Sequence, residues 1–146
     1  MPTLNYYLSA LGRCTALYRA DALQGSDVSP GDVPYLFYIC RHPGLTQEGL
    51  GRALYVNKTA VTRHVTHLEQ CDFLTRTPAA EDKRALLLHP TQKALDALPL
   101  LRSLNAAWHA VLTEGFSPEE AEQFISLLSR ALTNARAKVE EGGENV

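Results

Sequence analysis

At 146 residues, 45% apolar and 21% charged, the chain has the makings of one soluble domain that buries a core without disulfides or metal. No apolar run approaches the roughly 18 to 20 residues that span a bilayer, and the start Met1-Pro2-Thr3-Leu4-Asn5 is unlike a secretory leader. Net charge is −2, which disfavours a polyanion partner until its placement is read: residues 1–40 carry −1, residues 41–90 carry +2 with four histidines, and residues 91–146 carry −3.

Three cysteines, Cys14, Cys40 and Cys71, are too few for a disulfide framework. Free thiols in the cytoplasm are therefore expected.

Leu4 to Leu23 is predicted as a helix, with Leu4, Leu8, Leu11, Thr15 and Tyr18 at helical spacing. Gly25-Ser26-Asp27 stops it. Ser29-Pro30-Gly31-Asp32 looks like the next start, with Ser29 as cap, Pro30 in the first turn and Asp32 where a reciprocal cap belongs. The nearly apolar run from Tyr35 to Arg41 makes that helix a buried one, ended by His42-Pro43-Gly44.

Thr46 caps a short helix to about Leu54, weakened by Gly49 and Gly51 at about 1 kcal/mol each. Asn57 caps another running to about Cys71. Phe73 to Thr77 and Arg84 to His89 read as two strands of a hairpin with a loop from Pro78 to Lys83. From Thr91 a helix carries Leu95, Leu98, Leu101, Leu104 and Trp108 on one side, interrupted by Pro99. Ser117-Pro118-Glu119-Glu120 is a capping box, and the helix after it is expected to bury Ala121, Phe124, Leu127, Leu128, Ala131, Leu132 and Ala135. Only residues from Glu140 to Val146 look like a disordered tail.

The order is helix, helix, helix, helix, hairpin, helix, helix. Two short helices, a tight turn and an immediate hairpin make a winged helix-turn-helix, so the fold class is mainly α with a small β wing. On a wheel Val61, Val65 and Leu68 face inward. The outward side carries Lys58, Thr59, Thr62, Arg63 and Thr66 and no acid before Glu69. Small hydroxyls allow close approach to a major groove, and an arginine can take a guanine edge with two hydrogen bonds. The bland alternative is an ordinary solvated helix face.

Leu45-Thr46-Gln47-Glu48, Asn57-Lys58-Thr59-Ala60-Val61-Thr62-Arg63, Leu68-Glu69, Arg76 and Asp82-Lys83-Arg84, taken in order, resemble the MarR family of bacterial regulators. The resemblance implies a single domain over residues 1–146, with residues 29–90 as the DNA-binding lobe and residues 1–25 and 91–146 as dimerisation helices. It implies a repressor acting as a homodimer on a pseudo-palindromic double-stranded operator. The DNA-facing set would be Thr46, Asn57, Lys58, Thr59, Thr62, Arg63, Thr66, Arg76, Asp82, Lys83 and Arg84. Arg84 would enter the minor groove with Asp82 holding it or Arg63, unless the two merely shape the hairpin by a salt bridge. Leu4, Leu8, Leu11, Phe124, Leu127, Leu128 and Leu132 would line the dimer interface. Asp72, Pro90 and Ala94 depart from the family pattern; aspartate tolerates the left-handed turn that glycine usually makes there.

Two sensors fit the residues. Cys14 and Tyr18 are similar to the peroxide-sensing branch of the family, with Tyr18 one turn away as a donor to a thiolate. A small phenolic or aromatic effector in a cleft lined by Tyr7, Tyr18, Tyr35 and Tyr38, with Arg13 or His42, is the other. Each of these side chains also suits a core or interface role.

His64 and His67 are three apart with no third ligand at metal spacing, so neither a metal nor a cofactor is expected, and both read as DNA-backbone contacts or solvated residues. No phosphate loop, nucleophile motif or carboxylate pair points to an enzyme. A winged-helix protein-interaction module without DNA readout is the alternative.

Overall fold

The computed structural model describes residues 1–143. Helix α1, Leu4–Ala22, is capped by Thr3, whose hydroxyl oxygen accepts the Tyr6 N–H at 3.3 Å. A 3-10 turn, Pro30–Asp32, leads without a break into α2, Val33–Arg41. The capping role expected for Asp32 is not taken up; its carboxylate turns inward and is buried.

Helices α3, Gln47–Leu54, and α4, Lys58–Gln70, begin at Thr46 and Asn57. Thr46 Oγ1 accepts the Gly49 N–H at 3.0 Å and Asn57 Oδ1 accepts the Ala60 N–H at 2.8 Å. Each removes one of the unsatisfied donors of a helix start. The turn between them passes through Tyr55 at φ 56°, and α4 ends before Asp72 at φ 63°. Both are left-handed positions where a side chain costs roughly 1 to 2 kcal/mol.

A two-residue strand, β1 (Leu45–Thr46), was not apparent from the sequence. It joins β2 (Leu74–Pro78) and β3 (Leu86–Pro90) in an antiparallel sheet ordered β1-β3-β2. Leu45 lies opposite Leu88, and Arg76 opposite Leu88 on the other side. Both hairpin strands begin later than the residue pattern suggested, so Arg84 belongs to the wing tip and not to a strand. For the second strand the reason is local. Asp82 Oδ1 accepts the Arg84 N–H at 3.0 Å and the Asp82 carbonyl accepts the Ala85 N–H at 3.0 Å, which curls the chain before it can pair.

Leu36, Ile39, Leu50, Val65, Leu68, Leu74 and Leu88 are fully buried where α2, α3, α4 and the sheet meet. Gly51 is more than a weak helix former. A Cβ there would stand 3.0 Å from Val61 Cγ2, so its absence lets α3 and α4 cross closely.

The chain forms two compact units, residues 1–108 and the residues from 109 onward. Helix α5, Gln92–Leu112, begins in the first and runs through Pro99, which is exposed. It buries Ala94 and Leu101, while Leu95 stays 41% exposed. In the second unit the capping box forms as expected: Glu120 N–H donates to Ser117 Oγ at 3.1 Å and Ser117 N–H to Glu120 Oε1 at 3.2 Å. Helix α6, Pro118–Gly143, follows. Its helical path covers Glu140 to Gly143, which the sequence suggested as tail; the rest of that stretch lies outside the described residues. The apolar side of α6 is not buried within the chain: Leu127, Leu128 and Leu132 are 50%, 42% and 48% exposed. Phe124 is half-buried against Phe116.

For Gly51→Ala, better helix propensity gains about 1 kcal/mol while forcing Val61 aside costs about 1 to 3 kcal/mol. We expect a net loss of about 1 kcal/mol, read as a lower urea midpoint with unchanged slope. A raised midpoint would show that Val61 yields freely.

Candidate nucleic-acid interface

Helix α4 projects from the lobe with Val61, Val65 and Leu68 buried beneath it. Its outward side forms an open groove of about 640 Å³ lined by Lys58, Thr59, Thr62, Arg63, Thr66, His67 and Gln70. All five residues expected on this face are there, joined by His67 and Gln70. Lys58, Thr59, Thr62 and Arg63 are exposed and Thr66 is half-buried.

Two hydroxyl-bearing or amide caps are partly committed. Thr46 and Asn57 use a side-chain oxygen to start α3 and α4, and a helix start carries a positive dipole end that favours an anion. Thr62 is committed as well. Its hydroxyl donates to the Lys58 carbonyl at 2.9 Å and accepts from Gln47 Nε2 at 3.2 Å, which leaves its methyl and one lone pair for a partner. Gln47, absent from the expected site, thereby links α3 to the outward face of α4.

Arg76 is tied to Glu69. Its Nε lies 3.1 Å from Oε2 and its Nη2 2.9 Å from Oε1, a bidentate pair that locks β2 to the end of α4. Hydrogen bonding to Arg76 holds the Glu69 carboxyl below its ordinary range, and the same pair raises the Arg76 guanidinium. The wing tip carries Asp82, Lys83 and Arg84, all exposed. Asp82 meets the backbone of Arg84, not its guanidinium, so it shapes the tip.

The largest departure from expectation is at the histidines. Neither His64 nor His67 is simply solvated. His64 Nδ1 lies 2.7 Å from Asp32 Oδ1, and His67 Nδ1 2.5 Å from Asp32 Oδ2. The Asp32 side chain is 3% exposed. Tyr35 stacks on the His64 ring at 4.3 Å between centroids. Burial raises the Tyr35 phenol, with the Arg63 charge opposing. Gly31 permits this arrangement: a Cβ there would stand 3.2 Å from His64 Cε1. The i, i+3 spacing of the histidines was the only sequence signal, and it did not name a partner more than 30 residues away.

The sensor residues are dispersed. The Tyr18 hydroxyl donates to the Leu104 carbonyl at 3.3 Å and its ring stacks on Trp108, so its one proton is not available to Cys14. Cys14 is exposed. Tyr35 is committed to His64, and Tyr38 packs on His42 at 4.4 Å. A recess of about 410 Å³ between α2 and α5 is lined instead by Phe37, Cys40, Arg41, Leu98, Arg102 and Asn105. Burial pushes the Cys40 thiol up, with the Arg102 charge opposing. Among the described residues no cluster of His, Cys, Asp and Glu suits a metal ion, and no helix is long and apolar enough to cross a membrane.

A capped helix, a tight turn, a second helix with a basic outward face and a three-stranded wing define a winged helix-turn-helix protein. The sequence pattern of the MarR family matches residues 26–85. The HTH-type transcriptional regulator YybA of Bacillus subtilis is 33% identical over 108 residues, which is 74% of this chain and 72% of YybA. BilQ of Clostridium symbiosum, also an HTH-type regulator, is 27% identical over 128 residues, 88% of this chain and 89% of BilQ. Among solved structures, MarR superposes with TM-score 0.89 at 24% identity, covering 96% of this chain and 95% of that one. A Listeria monocytogenes protein described as a MarR family regulator, solved with a 26-mer DNA, gives TM-score 0.86 at 23% identity over 97% of both chains. The chain belongs to the MarR family of DNA-binding transcriptional regulators.

The Glu69–Arg76 pair sets a pH dependence. A carboxyl held low in the folded state contributes stability above its unfolded value of about 4.3, lost as pH falls through the native value. Glu69 is 39% exposed, so solvent screening keeps the contribution below about 1 kcal/mol. Between about pH 6 and about pH 3 the wild-type chain should lose more unfolding free energy than Glu69→Gln. Equal losses would mean the pair contributes nothing to stability.

Proposed function

We propose that the chain is a homodimeric repressor that reads a pseudo-palindromic operator with the outward face of α4 in the major groove and the wing tip in the adjacent minor groove. The observation that carries this reading is the groove on α4: basic, rich in small hydroxyls, and free of acids among its lining residues. Arg63 is the base-edge reader, Lys58 and the helix N-termini at Thr46 and Asn57 hold phosphates, and Lys83 and Arg84 serve the wing contact. Arg76 takes a supporting role through Glu69. Acting on chromosomal DNA, the protein works in the cytoplasm.

Two copies fit the apolar surfaces. On α1, Leu4, Tyr7, Leu8 and Leu11 are 73%, 52%, 48% and 38% exposed, and on α6 Ile125, Leu127, Leu128 and Leu132 are similarly open. Such side chains in a water-facing helix favour burial against a partner.

For the effector, the recess between α2 and α5 is favoured over Cys14. Arg41 and Arg102 can pair with an organic anion, Phe37 and Leu98 supply apolar walls, and Asn105 a hydrogen bond. A phenolic or aromatic acid fits that chemistry. The Tyr18 hydroxyl, the donor expected for a Cys14 thiolate, is spent on the Leu104 carbonyl.

Binding to a fragment selected from random DNA tests the reading. Affinity should fall steeply between about 50 mM and about 200 mM salt. Arg63→Ala and Arg84→Ala should each cost about 1 to 3 kcal/mol, and Lys58→Ala should lower the salt slope by about 1. Light scattering should give a dimer mass. Salt-independent binding, or none at low salt, would overturn the proposal.

A further inference from the structure

We propose that Asp32 and His64 form a positioning relay for Arg63, setting where its guanidinium lies before DNA arrives. The proposal rests on the reading of Arg63 as the base-edge contact. Its observation is a chain of three groups: Asp32 Oδ1 to His64 Nδ1 at 2.7 Å, and His64 Nε2 to Arg63 Nη2 at 3.5 Å.

The chemistry of the ends fixes the middle. A carboxylate only accepts, so His64 Nδ1 carries the proton that Asp32 receives. A guanidinium only donates, so His64 Nε2 must offer its lone pair. Both demands are met by one neutral tautomer, with Nδ1 protonated and Nε2 bare. The ring cannot swing away: Tyr35 stacks on one face and Gly31 brings the backbone against its Cε1 edge. The second Asp32 oxygen is held by His67 Nδ1, whose Nε2 in turn lies 3.7 Å from Cys71 Sγ, so the carboxylate is satisfied from both sides and has no reason to move.

Arg63 is exposed, and a free arginine there would sample many rotamers. A long bond to a fixed imidazole removes part of that freedom in advance, which favours the one partner geometry over others. Asp32 and His64 are therefore positioning residues; neither need touch DNA.

Imidazole and guanidinium nitrogen NMR on the free full-length protein tests the relay without DNA. His64 should be the Nδ1-protonated tautomer and should shift toward the Nε2-protonated form in Asp32→Asn. Rotation of the Arg63 guanidinium should be restricted in the wild type and free in His64→Asn, whose amide nitrogen can replace Nδ1 but offers nothing at Nε2. An Nε2-protonated His64 in the wild type, or an Arg63 indifferent to His64→Asn, overturns the relay.

Binding then tests its purpose. His64→Asn should weaken the selected fragment about fivefold and mixed DNA less than twofold, with no further loss when Arg63→Ala is already present. His64→Gln, which keeps an acceptor near Arg63, should retain most of the discrimination. Losses that multiply across His64 and Arg63 overturn the relay. A wild-type chain that selects no fragment overturns the DNA reading instead, while the NMR result still decides whether Asp32 and His64 hold Arg63.

Discussion

A carboxylate taken out of water must be met by hydrogen bonds, and in this protein that demand orients the recognition helix. Asp32 sits at the end of the 3-10 turn before α2, with its side chain 3% exposed. An unpartnered charge there would cost several kcal/mol. Among the described residues, the donors that meet it come from α4, one turn apart, at His64 and His67. Satisfying Asp32 therefore fixes the roll of α4 about its own axis. Val61, Val65 and Leu68 set which side goes inward, but an apolar stripe tolerates some rotation. Two short hydrogen bonds to one buried group tolerate little. The outward face from Lys58 to Thr66 is held in place from behind by this joint.

Around the joint, the other contacts of α4 are arranged to keep it close and rigid. Gly51 lets α3 cross against Val61, and Gln47 reaches over to the Thr62 hydroxyl. At the far end Arg76 grips Glu69, which couples the wing to the same helix. Lys93 from α5 donates to the Cys71 carbonyl at 2.8 Å and pairs with Asp27 at 3.1 Å, so the loop after α1 is drawn to the helix end as well. Most polar residues near α4 thus serve its placement. The residues proposed to meet DNA, Arg63, Lys58, Lys83 and Arg84, are all exposed on the outward side of α4 or at the wing tip. That division explains how a chain of net charge −2 can belong to a DNA-binding family: the local field of a few placed cations matters more than the total.

The order of elements, the caps at Thr46, Asn57 and Ser117, the inward stripe of α4 and the basic outward face were all legible in the sequence. These features depend on neighbours within about four residues, where helix and turn chemistry act. The left-handed Asp72 followed from the family resemblance, which places a glycine there. The second strand starts two residues late because the Asp82 turn competes with pairing, and β1 was invisible because two residues carry no period.

What the sequence by itself determined was the kind of protein and which residues line the outward side of α4, since amphipathic spacing and capping are local. Only the tertiary structure decided what the polar residues do. It turned Asp32 from a cap into an anchor, His64 and His67 from solvated side chains into its donors, Arg76 into a brace, and Tyr18 and Tyr35 into packed partners of Trp108 and His64. Each of those roles joins residues distant in sequence. A charge or a ring finds its partner through the fold, and spacing along the chain does not encode which partner the fold brings near.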